Sequence, residues 1–265
     1  FDPNFGLQPI GVPYRFVQYT GDQIDITMGS FYEQFGNGMI LRSYEERALG
    51  LDNAFDGVRI RMNPYKGIYV KGIIGNQRFY WQKSTGYVRG FDGEIALNEL
   101  LEAWAESRLR LTFGGSFVSK YEEAGLRSLV YPENVASWAA RGQLNYGGFA
   151  FLAEYIYKFN DPNADNRYIY RPGQGLLLSA TYSQKGFGIN LTAKTIDNMH
   201  FRSNRDGQLN DLFINYLPPL SRQHTYNLAT TFKILESFDG NDWPIKHAIR
   251  PLIPMVVILI RYFSL

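Results

Sequence analysis

The densest set of charged side chains lies in LRSYEERALGLDNAFDGVRIR, residues 41 to 61, which holds Arg42, Glu45, Glu46, Arg47, Asp52, Asp56, Arg59 and Arg61. Two chemistries suit such a set. Paired carboxylates can act as acid and nucleophile on a glycosidic bond, provided that they flank it. Mixed charges projecting into a channel can form a constriction that selects solutes. The spacing argues against the first, because Glu45 and Glu46 are adjacent and would point to opposite faces of a strand. The constriction candidates are therefore Arg42, Glu45, Arg47, Asp56, Arg59 and Arg61. A plainer role is an ion-pair network that fills an interior, and the near-cancelling signs favour it.

A second polar set lies in NDPNADNRY, where Asp161, Asn163 and Asp165 alternate as at the start of a calcium loop. The pattern then breaks, with Asn166 where the turn glycine belongs and Pro172 where the bidentate glutamate belongs. A solvated turn is the plainer reading, since Asn, Asp and Pro form turns. His200, His224 and His247 are not spaced as metal ligands. The sequence contains no G-x-S-x-G elbow, P-loop or dinucleotide fingerprint, so neither a catalytic residue nor a cofactor is expected.

The elements that would position these residues are strands. In DNAFDGVRIRMNPYKGIYVKGIIG, residues 52 to 75, Val58, Ile60 and Met62 fall on one face, with Arg59 and Arg61 on the other. After the turn, Ile68, Val70, Gly72 and Ile74 oppose Tyr69, Lys71 and Ile73, which completes a hairpin pattern. Similar alternation marks 14–19, 23–28, 108–120, 149–157, 175–195 and 225–232. Roughly ten to twelve strands of about nine to eleven residues are visible, the length that a tilted membrane strand needs. Strands of soluble proteins average nearer five or six. Tight turns near Gly21, Gly67, Gly147 and Gly186 alternate with long polar links at 121–135, 159–174 and 197–224. This asymmetry of the two rims is what outer-membrane barrels show.

Two stretches depart from the pattern. EIALNELLEAWAES places Leu97, Leu100, Leu101 and Trp104 in one stripe, with Glu99, Glu102 and Glu106 opposite, and predicts a short amphipathic helix. HAIRPLIPMVVILIRYFSL has two prolines and an unbroken apolar run, and it predicts an atypical terminal segment over 251–265, apart from a barrel over 1–250.

Composition agrees with a barrel wall. The chain has 265 residues with 19 Tyr, 19 Phe and 4 Trp, an aromatic share of 16%, and 26 Gly. Rings such as Tyr14, Tyr19, Trp81, Tyr155, Tyr157 and Tyr182 near strand ends suit membrane girdles, and glycines relieve curvature. With 27 basic and 25 acidic residues the net charge is +2, which makes no case for nucleic acid. The absence of cysteine excludes disulfides, thiolate metal sites and cysteine nucleophiles. The longest apolar run is far below the roughly 20 residues of a membrane helix, so any crossing of a bilayer must use strands.

The stretch TMGSFYEQFGNGMILRSYEERALGLDNAFDGVRIRMNPYKGIYVKGIIG, with QRFYW, VRGFDGEIALNELL, LTFGGSFVSKY, TIDNMHFRSNRDG and FINYLPPLSRQHTYNLA, resembles an uncharacterised family of large outer-membrane barrels from Bacteroidota. The resemblance covers roughly residues 10 to 230. It implies a location and an architecture but brings no activity. Members of that family are longer, which implies that this chain is a partial copy. FGNGMILRSYEER is also similar, at the level of fold, to porin-like barrels that export polysaccharide. The expectation is an all-β, antiparallel transmembrane β-barrel of the bacterial outer membrane, incomplete in this chain and non-enzymatic. It would act as a porin-like or envelope-assembly component, with outer-membrane lipid and other envelope proteins as partners. The alternative is a secreted β-rich carbohydrate-binding protein. Val58, Ile60 and Met62 are expected to face lipid, and Arg59 and Arg61 a polar lumen.

Overall fold

Alternation of side chains along the chain produces one dominant sheet. The structure is a computed structural model that describes residues 12, 14–46, 51–79, 82–123, 131–207, 212–217 and 255–262. In chain order the strands are β1 Phe16–Thr20, β2 Ile24–Phe31, β3 Glu45–Glu46, β4 Leu51–Asp52, β5 Phe55–Tyr65, β6 Ile68–Phe79 and β7 Gln82–Ala96. They continue as β8 Leu109–Tyr121, β9 Asn134–Tyr146, β10 Phe149–Lys158, β11 Gly173–Gln184, β12 Phe187–Asp197 and β13 Met255–Tyr262. Eleven of them form an antiparallel meander in the order β1-β2-β5-β6-β7-β8-β9-β10-β11-β12-β13, while β3 and β4 pair separately. β1 and β13 are the two edges, so the sheet is not closed among the described residues. The fold is all-β.

From β5 to β12 the strands are 10 to 15 residues long. Apart from the two-residue connection between β6 and β7 and the 12-residue connection between β7 and β8, their connections sort by rim. One rim carries the tight turns after β1, β5, β9 and β11. The other carries the long links between β2 and β5, β8 and β9, β10 and β11, and β12 and β13.

The predicted amphipathic helix forms over its apolar stripe, in two short pieces, but not over its first three residues. β7 runs on through Ala96, and only Leu97–Leu100 (α1) and a 3-10 turn at Glu102–Trp104 are helical. Pairing of Ile95 with Phe113 and of Ala96 with Thr112 extends the ladder into this stretch, so tertiary pairing overrides the local helical period. Neither helical piece has a buried residue, so the leucine stripe is not an inward cap. The apolar C-terminal run also differs from expectation, because Met255–Tyr262 joins the sheet as β13, antiparallel to β12. The predicted strand over 225–232 lies outside the described residues.

Residues paired across a ladder share a face, so the registers assign both faces. On one face Ile26, Ile60, Gly72, Phe91, Phe117 and Trp138 form one continuous cross-strand row. Nothing described covers this face, and Phe91, Phe113 and Phe117 are about half exposed, at 53%, 52% and 47%. On the other face Arg59, Ile73, Gly90, Val118 and Ser137 pair in the same way. This face is covered, and the buried core lies here. Ile73, Val88, Val118, Val135, Ala139, Ile156 and Leu177 of the wall pack against Phe35, Met39, Ile40, Leu41, Met199, Phe201 and Ile214 from the long links.

Candidate functional site: the covered face

The cover is built from the described part of the link between β2 and β5, chiefly residues 33–43, and from residues 199–207 and 212–217. Residues 33–43 fold back on themselves, with a bridge between Gln34 and Arg42 and hydrogen bonds from Phe35 N to Leu41 O (3.0 Å) and from Ser43 N to Glu33 O (2.9 Å). The tip turns through Gly36 (φ +51°) and Gly38 (φ +85°), a conformation that glycine adopts without penalty. Gly36 also needs the space, because a Cβ there would lie 3.0 Å from the Glu154 carboxylate. Residues 212–217 run beside this hairpin, with Arg42 N donating to Ile214 O (2.8 Å) and Tyr216 N to Gly38 O (2.9 Å). The Asn215 amide joins the pieces by donating to Met39 O (3.1 Å) and Met199 O (2.7 Å).

Polar contacts tie this cover to the wall at the tip and at the base of the hairpin. At the tip, Asn37 donates from its side chain (2.6 Å) and its backbone N–H (3.2 Å) to Glu154 on β10. Beside it the Arg141 guanidinium donates to Asp92 (2.8 Å), Glu94 (3.1 Å) and Ser116 (2.7 Å), which locks β7, β8 and β9 together. At the base Glu33 is buried against three wall cations, Arg61 Nε at 2.7 Å, Lys71 Nζ at 3.5 Å and Arg59 Nε at 4.0 Å. Arg59 also donates to Tyr32 O (3.1 Å) and Lys71 to Gln34 O (3.0 Å). The wall thus grips three consecutive residues of the hairpin through their acceptors.

Toward the long-link rim, Asp161 lies fully buried between Lys120 (2.9 Å) and Lys158 (3.5 Å). Burial alone would raise its carboxyl pKa, but the two ammonium groups outweigh that effect and hold it below the usual carboxylate range. Arg202 pairs with Asp165 (2.6 Å) and Arg205 with Glu122 (3.3 Å). Arg42, Arg202 and Arg205 each lie over a tyrosine or phenylalanine ring, Arg202 at 3.6 Å from the Phe213 centroid.

The candidate residues named from sequence separate into distinct places. Arg59 and Arg61 stand on the covered face of β5. Arg42 is not on the wall; it belongs to the cover, stacked on Tyr44 and Tyr216. Glu45 lies on β3, outside the main sheet, and is exposed. Asp56 is two residues from Val58 and so falls on the bare face, where it pairs with Lys83 at 2.9 Å. Those three therefore do not form one constriction with Arg59 and Arg61: the two-residue period sends Asp56 outward, and the chain leaves the wall before Arg42. Arg47 lies outside the described residues. The calcium reading of Asp161, Asn163 and Asp165 is also corrected. Lysines and Arg202 already neutralise the two carboxylates, and the Asn163 amide donates to Asp161 (3.1 Å) instead of offering its oxygen. Among the described residues, no three His, Cys, Asp or Glu side chains are grouped to hold a metal.

Glu33, Asn37, Lys71, Asp92, Arg141 and Glu154 carry the site and were not singled out from the sequence. One signal was legible: FGNGMIL, residues 35 to 41, is an apolar run around two glycines that lacks the two-residue alternation of the strands.

Residues 1–235 match a family of unknown function, DUF6029. The chain belongs to DUF6029. No curated protein matches this DUF6029 chain in sequence. Among solved structures, the crystal structure of a BenF-like porin from Pseudomonas fluorescens Pf-5 aligns with 13% identity and a TM-score of 0.37, over 71% of this chain and 62% of that one. The chain thus spans under two thirds of that porin's length.

Proposed function

We propose that this chain is the wall, with its internal plug, of a non-enzymatic β-barrel in the bacterial outer membrane. In this reading the covered face is the lumen and residues 33–43, 199–207 and 212–217 restrict passage through it. The observation that carries the reading is the bare face. It is apolar over its middle rows. Tyr19, Tyr65, Tyr146, Phe149 and Tyr182 stand toward the tight-turn rim, and Tyr87, Trp138, Tyr155 and Tyr157 toward the other. Its charges Asp56, Lys83 and Asp197 lie toward the long-link rim, and Arg89, midway along β7, extends toward that rim to reach Asn134 (2.8 Å). An uncovered apolar surface of this extent needs a partner, and an apolar band between two aromatic girdles fits lipid. The resemblance to Bacteroidota barrels supports the same location. The covered face supports a gated passage rather than an open pore, because its core is packed and carboxylates from the cover and the wall engage most of its cations.

The test is gel mobility with and without boiling of the protein in outer-membrane extracts. A closed barrel resists detergent and migrates faster until boiled, so a heat-dependent shift in the membrane fraction is expected. Recovery in the soluble fraction with no shift would overturn the reading and favour the secreted carbohydrate-binding alternative. Planar-bilayer conductance then measures how far the plug restricts ion flow.

A further inference from the structure

We infer that Arg59, Arg61 and Lys71 form a binding site for a small carboxylate-bearing solute, and that Glu33 occupies this site as an internal surrogate until such a solute displaces it. The inference rests on the barrel reading, in which this face is a lumen.

The cations and the carboxylate come from different parts of the fold. Arg61 and Lys71 are register partners on neighbouring wall strands, and Arg59 lies two residues along on the same face. Glu33 comes from the covering hairpin, which no strand pairing of the main sheet includes. The wall contributes a preformed cradle of three donors, and the acceptor belongs to the removable part. Arginine forks and ammonium groups in this arrangement are suited to carboxylate oxygens.

Glu33 does not satisfy the cradle. Three cations face Glu33 and, at 3.4 Å from Arg59, Asp25. One positive charge is left over within the cluster. Arg59 Nε is buried without a hydrogen-bond partner, at 4.0 Å from the Glu33 oxygen. A second carboxylate group would find both an unneutralised charge and an unused donor.

The cradle is also open on one side. The Glu33 side chain is 2% exposed, whereas Arg61 and Lys71 are 45% and 33% exposed. A solute can therefore reach two of the cations before the hairpin moves. Exchange is then like for like: an incoming carboxylate replaces the outgoing one, and the buried cations are not left unpaired, which would be costly. A neutral solute offers no such replacement. Release of Glu33 loosens the base of the hairpin, which keeps the weaker hold of Lys71 on Gln34 O and of Asn37 on Glu154, so binding and opening are coupled.

The test uses the detergent-purified protein, with the heat-dependent mobility shift as the check on fold. Calorimetric titration with succinate is compared with titration by neutral succinamide. Glu33→Gln removes the internal competitor and should bind succinate at least tenfold more tightly than the unaltered protein. Adding Arg61→Gln and Lys71→Gln should abolish that gain, and succinamide should bind none of the variants. A Glu33→Gln protein that keeps the mobility shift but binds succinate no tighter, or that binds succinamide equally well, overturns the inference. Should Glu33→Gln fail to fold, Glu33→Asp retracts the carboxylate by one methylene and should bind severalfold more tightly; equality with the unaltered protein then overturns it. Absence of the shift from the unaltered protein sinks the barrel reading instead.

Discussion

Replacing Ile60 with lysine separates a lipid-facing sheet from one whose bare face meets water. Ile60 lies on the bare face of β5, paired with Ile26 on one side and Gly72 on the other. It is five residues from Tyr65, which ends the strand at the tight-turn rim. At about 3.3 Å per residue that is roughly 17 Å along the strand, or about 13 Å along the membrane normal for a strand tilted by about 40°. An outward apolar band is about 25 Å tall, so Ile60 sits near its midplane. A lysine at that depth should cost about 2–4 kcal/mol, roughly a 30- to 700-fold shift in the folding equilibrium. Tyr182, on the same face at the rim, serves as the control, where lysine should cost about 0–1 kcal/mol. The assay is equilibrium denaturant unfolding in lipid vesicles, read by the fraction of fast-migrating band. If Ile60→Lys and Tyr182→Lys both changed stability by less than about 0.5 kcal/mol, the range of ordinary surface substitutions, the bare face would not be in lipid.

Two further substitutions test the plug, beside the mobility shift and the succinate titration. A Cβ at Gly90 would lie 2.7 Å from the Phe35 ring, whereas one at Gly72 would meet nothing within 4 Å. Gly90→Val should therefore destabilise by about 1–3 kcal/mol through overpacking and Gly72→Val should not, as read by the denaturant midpoint; equal effects would argue against Phe35 packing on β7. Asp161→Asn removes the carboxylate between two buried lysines and should cost about 3–5 kcal/mol at neutral pH, measured as the temperature at which the band shift is lost. The sign of the pH effect follows from the lowered Asp161 carboxyl. Its stabilisation is fully present above the ordinary aspartate value, near pH 4, and is lost as pH falls through the depressed folded value. Part of the acid sensitivity of the shift below about pH 4 should therefore disappear in Asp161→Asn, and an unchanged acid profile would refute the assignment.

Much of the wall was legible because its determinants are local. A strand turns its side chains over every two residues, so Val58, Ile60 and Met62 had to oppose Arg59 and Arg61 once the hairpin formed. Turn residues at Gly67, Gly147 and Gly186, all at positive φ, mark where β5, β9 and β11 reverse. Local rules also failed in instructive places. The 3.6-residue stripe from Leu97 to Trp104 is helical in two short pieces, but the helix does not reach back over Glu94–Ala96, which pairing with β8 holds as strand. Asp56 was grouped with Arg59 because they are near in sequence, yet an odd separation of three sends it to the other face.

What the sequence determined by itself is the all-β class, the strand length, the two-faced pattern and the asymmetry of the rims. Each depends on residues a few positions apart. Only the tertiary structure decided what covers the polar face. Asn37 meets Glu154 across 117 residues, Glu33 meets Arg61 across 28, and Gln77 meets Ser203 across 126. Periodicity carries no information about such pairs, because any buried carboxylate would accept any of the wall's cations. Which one it meets follows from how the links fold back across the sheet, a property of the whole chain.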